Sequence, residues 1–422
     1  LGWLGVRLFR QDRALERQRV QDRLEHAADA VAVALQRELS AVEDGLTNLS
    51  NTPEGALPAA ATDYVGQLSE DAVLVVMDLD GVEAYPSGRL LYYPTVSRQR
   101  EPDAVVFARG ETLEFRDRDL AAAARSYGRL AQTSDSSVRA GALLRLARVQ
   151  RKAGDADAAL EAFQQLVALG STTVAGLPAE LVARGASLDV LDDMTRNEEL
   201  AAEAESLYVD LQSGTWRITR AQYELYAGQM CSRISCDSTP DSPAASSLAS
   251  ARALAAGVER LWDNRSSLDG NGREVTWIDD NPVLLVWSHR GEQTVGLVGG
   301  QRHLETDWFG SLAELLEGER IEVALSDVRG RAITAMTAED VAQTAARTAA
   351  DIQLPWTLHV ASSDPLGDFA ELAERRRLLL LGLATLALLL LVGLYAVTRG
   401  VTRELAVARL QSDFVAAVSH EF

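Results

Sequence analysis

Leu378-Leu379-Leu380-Leu381-Gly382-Leu383-Ala384-Thr385-Leu386-Ala387-Leu388-Leu389-Leu390-Leu391-Val392-Gly393-Leu394-Tyr395-Ala396-Val397 is free of charge from end to end. Its 20 residues, at about 1.5 Å each, reach roughly 30 Å, the hydrocarbon thickness of a bilayer. A buried helix of a soluble protein is shorter or carries a polar face, so the run reads as one complete transmembrane helix. Arg375, Arg376 and Arg377 precede it and Arg399, Arg403 and Arg409 follow it. Positive charge is therefore balanced and does not orient the span. At the other terminus Leu1-Gly2-Trp3-Leu4-Gly5-Val6-Arg7-Leu8-Phe9 is too short to cross a membrane. It reads as the end of a first transmembrane helix (1–9), with an ordinary apolar helix start as the alternative.

The 422 residues allow two or three domains with real cores. Acidic residues outnumber basic ones 61 to 41, a formal charge of -20. A surface of that sign repels nucleic acid, and no nucleic-acid partner is expected.

From Leu24 an apolar stripe runs Leu24, Ala28, Val31, Leu35, Leu39, Val42, Leu46, Leu49 in steps of three and four. This predicts a long amphipathic stalk helix over 10–56, ended by Asn51-Thr52-Pro53-Glu54-Gly55. Such a helix suits pairing with a second copy, and one packed on its own domain has the same stripe. Ala72–Met77 reads as a strand, Asp80-Gly81 as a turn, and Arg89–Tyr93 and Ala104–Phe107 as further strands. Strand, Asp78-Leu79-Asp80-Gly81 turn and strand resemble the start of a PAS-like Cache module, here 57–116. Residues 117–264 turn helical and Ala-rich. Leu143, Leu146, Ala147, Gly154, Ala159 and Phe163 have spacings similar to one tetratricopeptide repeat, with an earlier half-repeat at Ala123 and Tyr127. Generic helical hairpins are the alternative. From 265 to 373 the chain returns to strands at Val283–Trp287, Thr294–Val298, Ile321–Leu325 and Trp356–Val360, with Asp307–Leu316 helical between them. This order resembles a membrane-proximal PAS-like or Cache-like module. The fold class expected is α+β: two PAS/Cache-like sensor modules, a helical repeat-like region, one complete transmembrane helix (378–397) and a cytoplasmic helix (398–422).

Beyond the span, Val407, Leu410, Phe414 and Ala417 are spaced 3-4-3, the seam of a helix that pairs in a bundle. His420 lies three residues on, within Gln411-Ser412-Asp413-Phe414-Val415-Ala416-Ala417-Val418-Ser419-His420-Glu421-Phe422. This stretch, over about 404–422, resembles the phosphoacceptor box of bacterial sensor histidine kinases. The resemblance implies a two-component system in which His420 is the phosphorylated residue and Glu421 the carboxylate that orients it as general base. Neutral imidazole is a competent nucleophile near pH 7, and phosphoryl transfer needs in-line placement more than covalent machinery. It further implies ATP and Mg²⁺ held by a catalytic domain outside this segment, a homodimer through the stalk and phosphoacceptor helices, and a response regulator as acceptor. Because phosphorylation needs ATP, 399–422 is expected in the cytoplasm and about 10–375 outside it, with the chain in the inner membrane.

Trp277, Trp287, Arg302 and Trp308 are the candidates for a pocket taking a small anion or amphiphile, since aromatic rings and a guanidinium suit one; Trp as core filler is the alternative. Cys231 and Cys236 sit in a Ser/Pro/Asp-rich loop. In an oxidising compartment they suit a short disulfide or a redox-sensing pair, while a metal site lacks two further ligands. His26, His289, His303 and His359 show no metal-ligand spacing, and no metal is expected. The rival function is a membrane-anchored extracytoplasmic binding protein without kinase activity, in which His420 is incidental and the outer part takes a protein or small-molecule signal.

Overall fold

The computed structural model describes residues 2–96, 101–234, 236, 243–334, 344–363, 377–378, 380–382 and 384–405. Strand β1 (Ala72–Met77) is buried at all six positions, so both of its faces are covered. Its neighbours are β2 (Val82–Tyr85), β3 (Asn271–Ile278), β4 (Asn281–Arg290) and β5 (Gln293–Gly299). They form one five-stranded antiparallel sheet in the order β2-β1-β5-β4-β3. The pairing that joins the halves is β1 with β5, in register from Ala72 opposite Gly299 to Met77 opposite Thr294. Residues 57–116 and 265–373 are thus not two separate sheets. They contribute two and three strands to the same one.

Alternation divides the sheet cleanly. Leu74, Val76, Leu284, Val286, Val295 and Leu297 face one way, and Val73, Val75, Val283, Leu285 and Val298 the other. The first face is covered by α1 (Gly2–Ser50) and α2 (Leu57–Val65). The 49 residues of α1 make a rod about 70 Å long. Leu24, Ala28, Val31, Leu35, Leu39, Leu46 and Leu49 are buried against the chain's own sheets. From Leu24 onward the stripe is therefore already covered within one copy.

The second face receives an insertion between β2 and β3. It contains α3 (Leu120–Leu130), α4 (Ser136–Lys152), α5 (Ala156–Val167), α6 (Ala179–Asp193), α7 (Asn197–Gln212), α8 (Arg220–Ile234) and α9 (Pro243–Asn264). From α3 to α8 each helix packs on the next. In the α4–α5 hairpin Gly154 turns the chain at φ +84°, a conformation that disfavours side chains, and Asp155 caps α5 by accepting from the Ala158 amide. Leu143, Ala147, Ala159 and Phe163 are buried there. Helix α9 lies flat on the sheet because Gly257 has no side chain: a Cβ there would sit 2.9 Å from both Val283 Cγ1 and Val298 Cγ1.

Two expected strands are absent. Pro86 has no N–H to continue a ladder, and Leu90–Tyr93 are instead threaded between sheet and insertion, buried at four successive positions, with only a bridge from Tyr93 to Thr219. Ala104–Val106 is a 3₁₀ turn with Val105 82% exposed.

A second antiparallel sheet follows, in the order β6 (Ile321–Ser326), β8 (Thr357–Ser362), β7 (Thr344–Arg347). Helix α1 spans both sheets. Glu43 accepts from Arg273 Nη1 of β3 at 2.8 Å, Asp29 accepts from Arg347 Nε of β7 at 2.6 Å, and Gln36 Nε2 donates to the Ile352 carbonyl. Among the described residues one helix, Leu380–Leu405, is long and apolar enough to cross a membrane, with mean hydropathy 2.5 and none of its apolar stretch buried. It runs unbroken past Val397 to Leu405. The chain is thus α+β with antiparallel sheets and one candidate span.

Gly257→Val is expected to lower stability by about 1–3 kcal/mol through overpacking against β4 and β5. Gly128→Ala, in α3 with open space around its Cβ position, should raise it by about 0.5–1 kcal/mol. Urea unfolding of both variants checks the pair.

Candidate functional site

Where β1 begins and β5 ends, a buried polar cluster ties the fold together. The Asp71 carbonyl accepts from Gly300 N at 2.8 Å, and its carboxylate accepts from Ser250 Oγ of α9 at 2.6 Å and from Arg302 N at 2.9 Å. Beside it His303, 1% exposed, bonds Asp307 Oδ2 through Nδ1 at 2.6 Å. Ser69 N also donates to Asp307 Oδ2, at 2.8 Å, and Ser69 Oγ lies 3.4 Å from His303 Nδ1. These are the residue types of a hydrolytic triad, but serine and aspartate meet the same ring nitrogen. A triad needs the serine on one ring nitrogen and the aspartate on the other, so His303 cannot serve as a base for Ser69, and the cluster is structural.

Burial holds the His303 pKa below the ordinary histidine value, against the opposing pull of Asp307 and Asp71. Its Nε2 is buried with no hydrogen-bond partner. Trp308 meets His303 edge-on at 6.3 Å and Trp356, at the start of β8, at 5.3 Å. The cluster therefore sits at the joint between the two sheets.

The four residues expected to make a pocket do not converge. Trp277 is on the α1 face, with the Arg331 guanidinium 4.0 Å over its ring. Trp287 is on the opposite face, over Gly272, where a Cβ would clash with its indole. Arg302 is exposed and Trp308 is core. The aromatic residues fill core space on either side of a sheet. Cys231 and Cys236 are bonded, with Cα atoms 4.9 Å apart, at the end of α8. His289 pairs with Thr294 Oγ1, His359 with Ser326 Oγ, and His26 with the Asp22 carbonyl. Among the described residues no three His, Cys, Asp or Glu side chains are grouped to hold a metal. His420, Glu421 and the seam Val407, Leu410, Phe414, Ala417 lie outside the described residues.

Instead the structure has a cleft of about 520 Å³ on the insertion face, between α8, α9, Tyr208 of α7, Tyr92 and the Ile278-Asp279 turn. The Tyr92 and Tyr223 rings are 5.8 Å apart and tilted by 45°. Arg220 is already engaged, bonding Glu224 Oε1 at 2.8 Å and Glu259 Oε2 at 3.4 Å. Arg252 has no carboxylate partner among the described residues. Burial pushes the Tyr92 pKa up to about 12 and raises that of Tyr223, where Arg252 pulls the other way. Both remain neutral phenols at ordinary pH. The Tyr223 hydroxyl is buried without a hydrogen bond of acceptable geometry. Sequence reading missed this site because its tyrosines come from the Leu90–Tyr93 segment and two different helices. At helical spacing each reads as core.

No family model matches the chain, and comparison with curated proteins and with solved structures finds no match.

His303 gives a pH prediction. Its folded pKa is depressed, so the unfolded chain binds more protons below about pH 6.5, and the stability present above that value is lost as pH falls through the folded pKa. His303→Gln should show a shallower loss of stability between about pH 7.5 and pH 5 than the parent, read as urea midpoints. Parallel curves for parent and variant would remove His303 from the acid response.

Proposed function

We propose that this chain is the signal-sensing portion of a membrane sensor histidine kinase of a two-component system, phosphorylated on His420. The observation that carries the reading is the unburied apolar helix Leu380–Leu405, leading directly into the stretch that resembles a phosphoacceptor box. It follows a large mixed domain, the order expected of receptor, span and output. The sheet supports the sensor half. It is a five-stranded antiparallel sheet, as a PAS-like module would have, but with helices packed on both faces where that module has them on one, so the likeness is partial and argues fold by analogy only.

In this reading the domain before the span lies outside the cytoplasm and residues after it inside. An imidazole nitrogen of His420 attacks the γ-phosphorus of ATP, the bond to the β-phosphate bridging oxygen breaks, and ADP leaves. Glu421 holds the proton on the other ring nitrogen and so orients the nucleophile. The phosphoryl group then passes to an aspartate oxygen of the response regulator as the P–N bond breaks. ATP and Mg²⁺ would be held by a separate catalytic domain.

Transmission needs an element that touches the sensor and is stiff along its axis. Helix α1, bonded to both sheets through Glu43, Gln36 and Asp29, has that form, as does the helix through Leu405. A small displacement of either would move His420 into or out of line with ATP. Pairing of two copies would use the outer face of α1 or residues before Leu24, since the stripe after it is covered.

His420→Gln in the full-length protein, assayed in membranes with γ-labelled ATP, should lose phosphoryl label completely while expression and insertion stay unchanged. Undiminished label would reject the role of His420 and leave a membrane-anchored binding protein.

A further inference from the structure

We propose that the cleft between α8, α9 and the Leu90–Tyr93 segment binds a small monocarboxylate with a flat apolar body, such as an aromatic acid. Its size is the first argument, since about 520 Å³ falls within the range of small-molecule sites. The second is an unmade bond. The Tyr223 hydroxyl lines the cleft, belongs to a residue only 2% exposed, and makes no hydrogen bond of acceptable geometry, with the Arg252 guanidinium beside it. Buried polar groups are nearly always satisfied, and one left open on the wall of a cavity is a point where a ligand can supply the missing partner.

Charge gives the class. Of the two arginines in the lining, Arg220 is neutralised by Glu224 and Glu259, whereas Arg252 meets no carboxylate among the described residues. A guanidinium and a phenol hydroxyl on one wall fit a carboxylate, which accepts from both. Of the two lining carboxylates, Glu224 is bound to Arg220 and Asp279 is not bound to an arginine. That remaining negative charge disfavours a dianion. The rings of Tyr92, Tyr208 and Tyr223 provide the apolar, flat-sided part of the wall.

A ligand here would brace α8 against α9, the helix seated on β1 and β5 across the sheet from α1. The site is built by the insertion and does not depend on any role for His420.

Gly228 lines the cleft on α8, and nothing lies within 4 Å of the Cβ it lacks. Gly228→Leu therefore places an apolar side chain at the cleft with no clash at its Cβ. Isothermal titration of the full chain in lipid nanodiscs with benzoate and phenylacetate, and with benzyl alcohol as the uncharged control, tests the assignment. At least one of the two acids should bind saturably and benzyl alcohol at least about tenfold more weakly. Gly228→Leu should abolish binding. Arg252→Gln and Tyr223→Phe should each weaken it about tenfold or more, and Tyr223→Phe should keep the parent's melting temperature, because the hydroxyl it removes makes no well-formed hydrogen bond. Absence of saturable binding by both acids, or binding that survives Gly228→Leu, overturns the site. Equal binding of benzyl alcohol overturns the carboxylate. A lower melting temperature with unchanged affinity in Tyr223→Phe makes the hydroxyl structural and overturns its place in recognition. None of these outcomes reads phosphorylation, so they fail or succeed separately from the kinase reading.

Discussion

The pairing of β1 with β5 is the constraint on which the rest of the molecule depends. It joins Ala72–Met77 to residues 294–299 across the whole helical insertion. Loop-closure entropy grows only logarithmically with length, so a long insertion costs little more than a short one once the pairing forms. What it demands is a strong strand at each side. Ala-Val-Leu-Val-Val-Met and Gln-Thr-Val-Gly-Leu-Val-Gly provide two β-branched runs that bury on both faces. The Asp71 cluster then locks the end of the pair, since Gly300 leaves no room for a Cβ beside the Asp71 carboxylate.

The sheet separates two roles. One face is given to α1, which continues onto the second sheet and is held there by Asp29 and Gln36. The other is given to α9 and the helices stacked above it, and the cleft lies where these helices meet the Tyr92 segment. Val75 and Val298 face the insertion while Leu74 and Leu297 face the stalk. The cleft side and α1 are therefore separated by single strands. At the joint, Trp308 and Trp356 meet edge-on and tie the first sheet to the second.

Elements governed by local pattern were readable from sequence. The stripe from Leu24 to Leu49, the run Ala72–Met77, the hairpin around Gly154 and the apolar span all depend on periodicity or length alone. What depends on distant partners was not. Arg89–Tyr93 has the composition of a strand, but Pro86 takes the chain off the sheet edge and its burial comes from helices more than a hundred residues later. β3, with Asn271, Arg273 and Glu274, looks polar because it is an edge strand tied to α1 by Arg273. Two half-sheets separated by an Ala-rich helical stretch read as two modules, because nothing in either half announces its partner. The tryptophans drew attention as large aromatic side chains and proved to fill opposite faces. The tyrosines of the cleft are spread over three segments and converge only in the fold.

Native-state hydrogen exchange of the full chain, followed by mass spectrometry of peptides covering 72–77, 293–299 and 136–167, reads the central pairing directly. If β1 and β5 close one sheet, their amides should exchange together, with the same protection and the same sensitivity to urea, while the α4–α5 hairpin opens on its own at lower free energy. Exchange of 72–77 that is fast and independent of 293–299 would contradict the single split sheet, and with it the placement of α9 and the cleft.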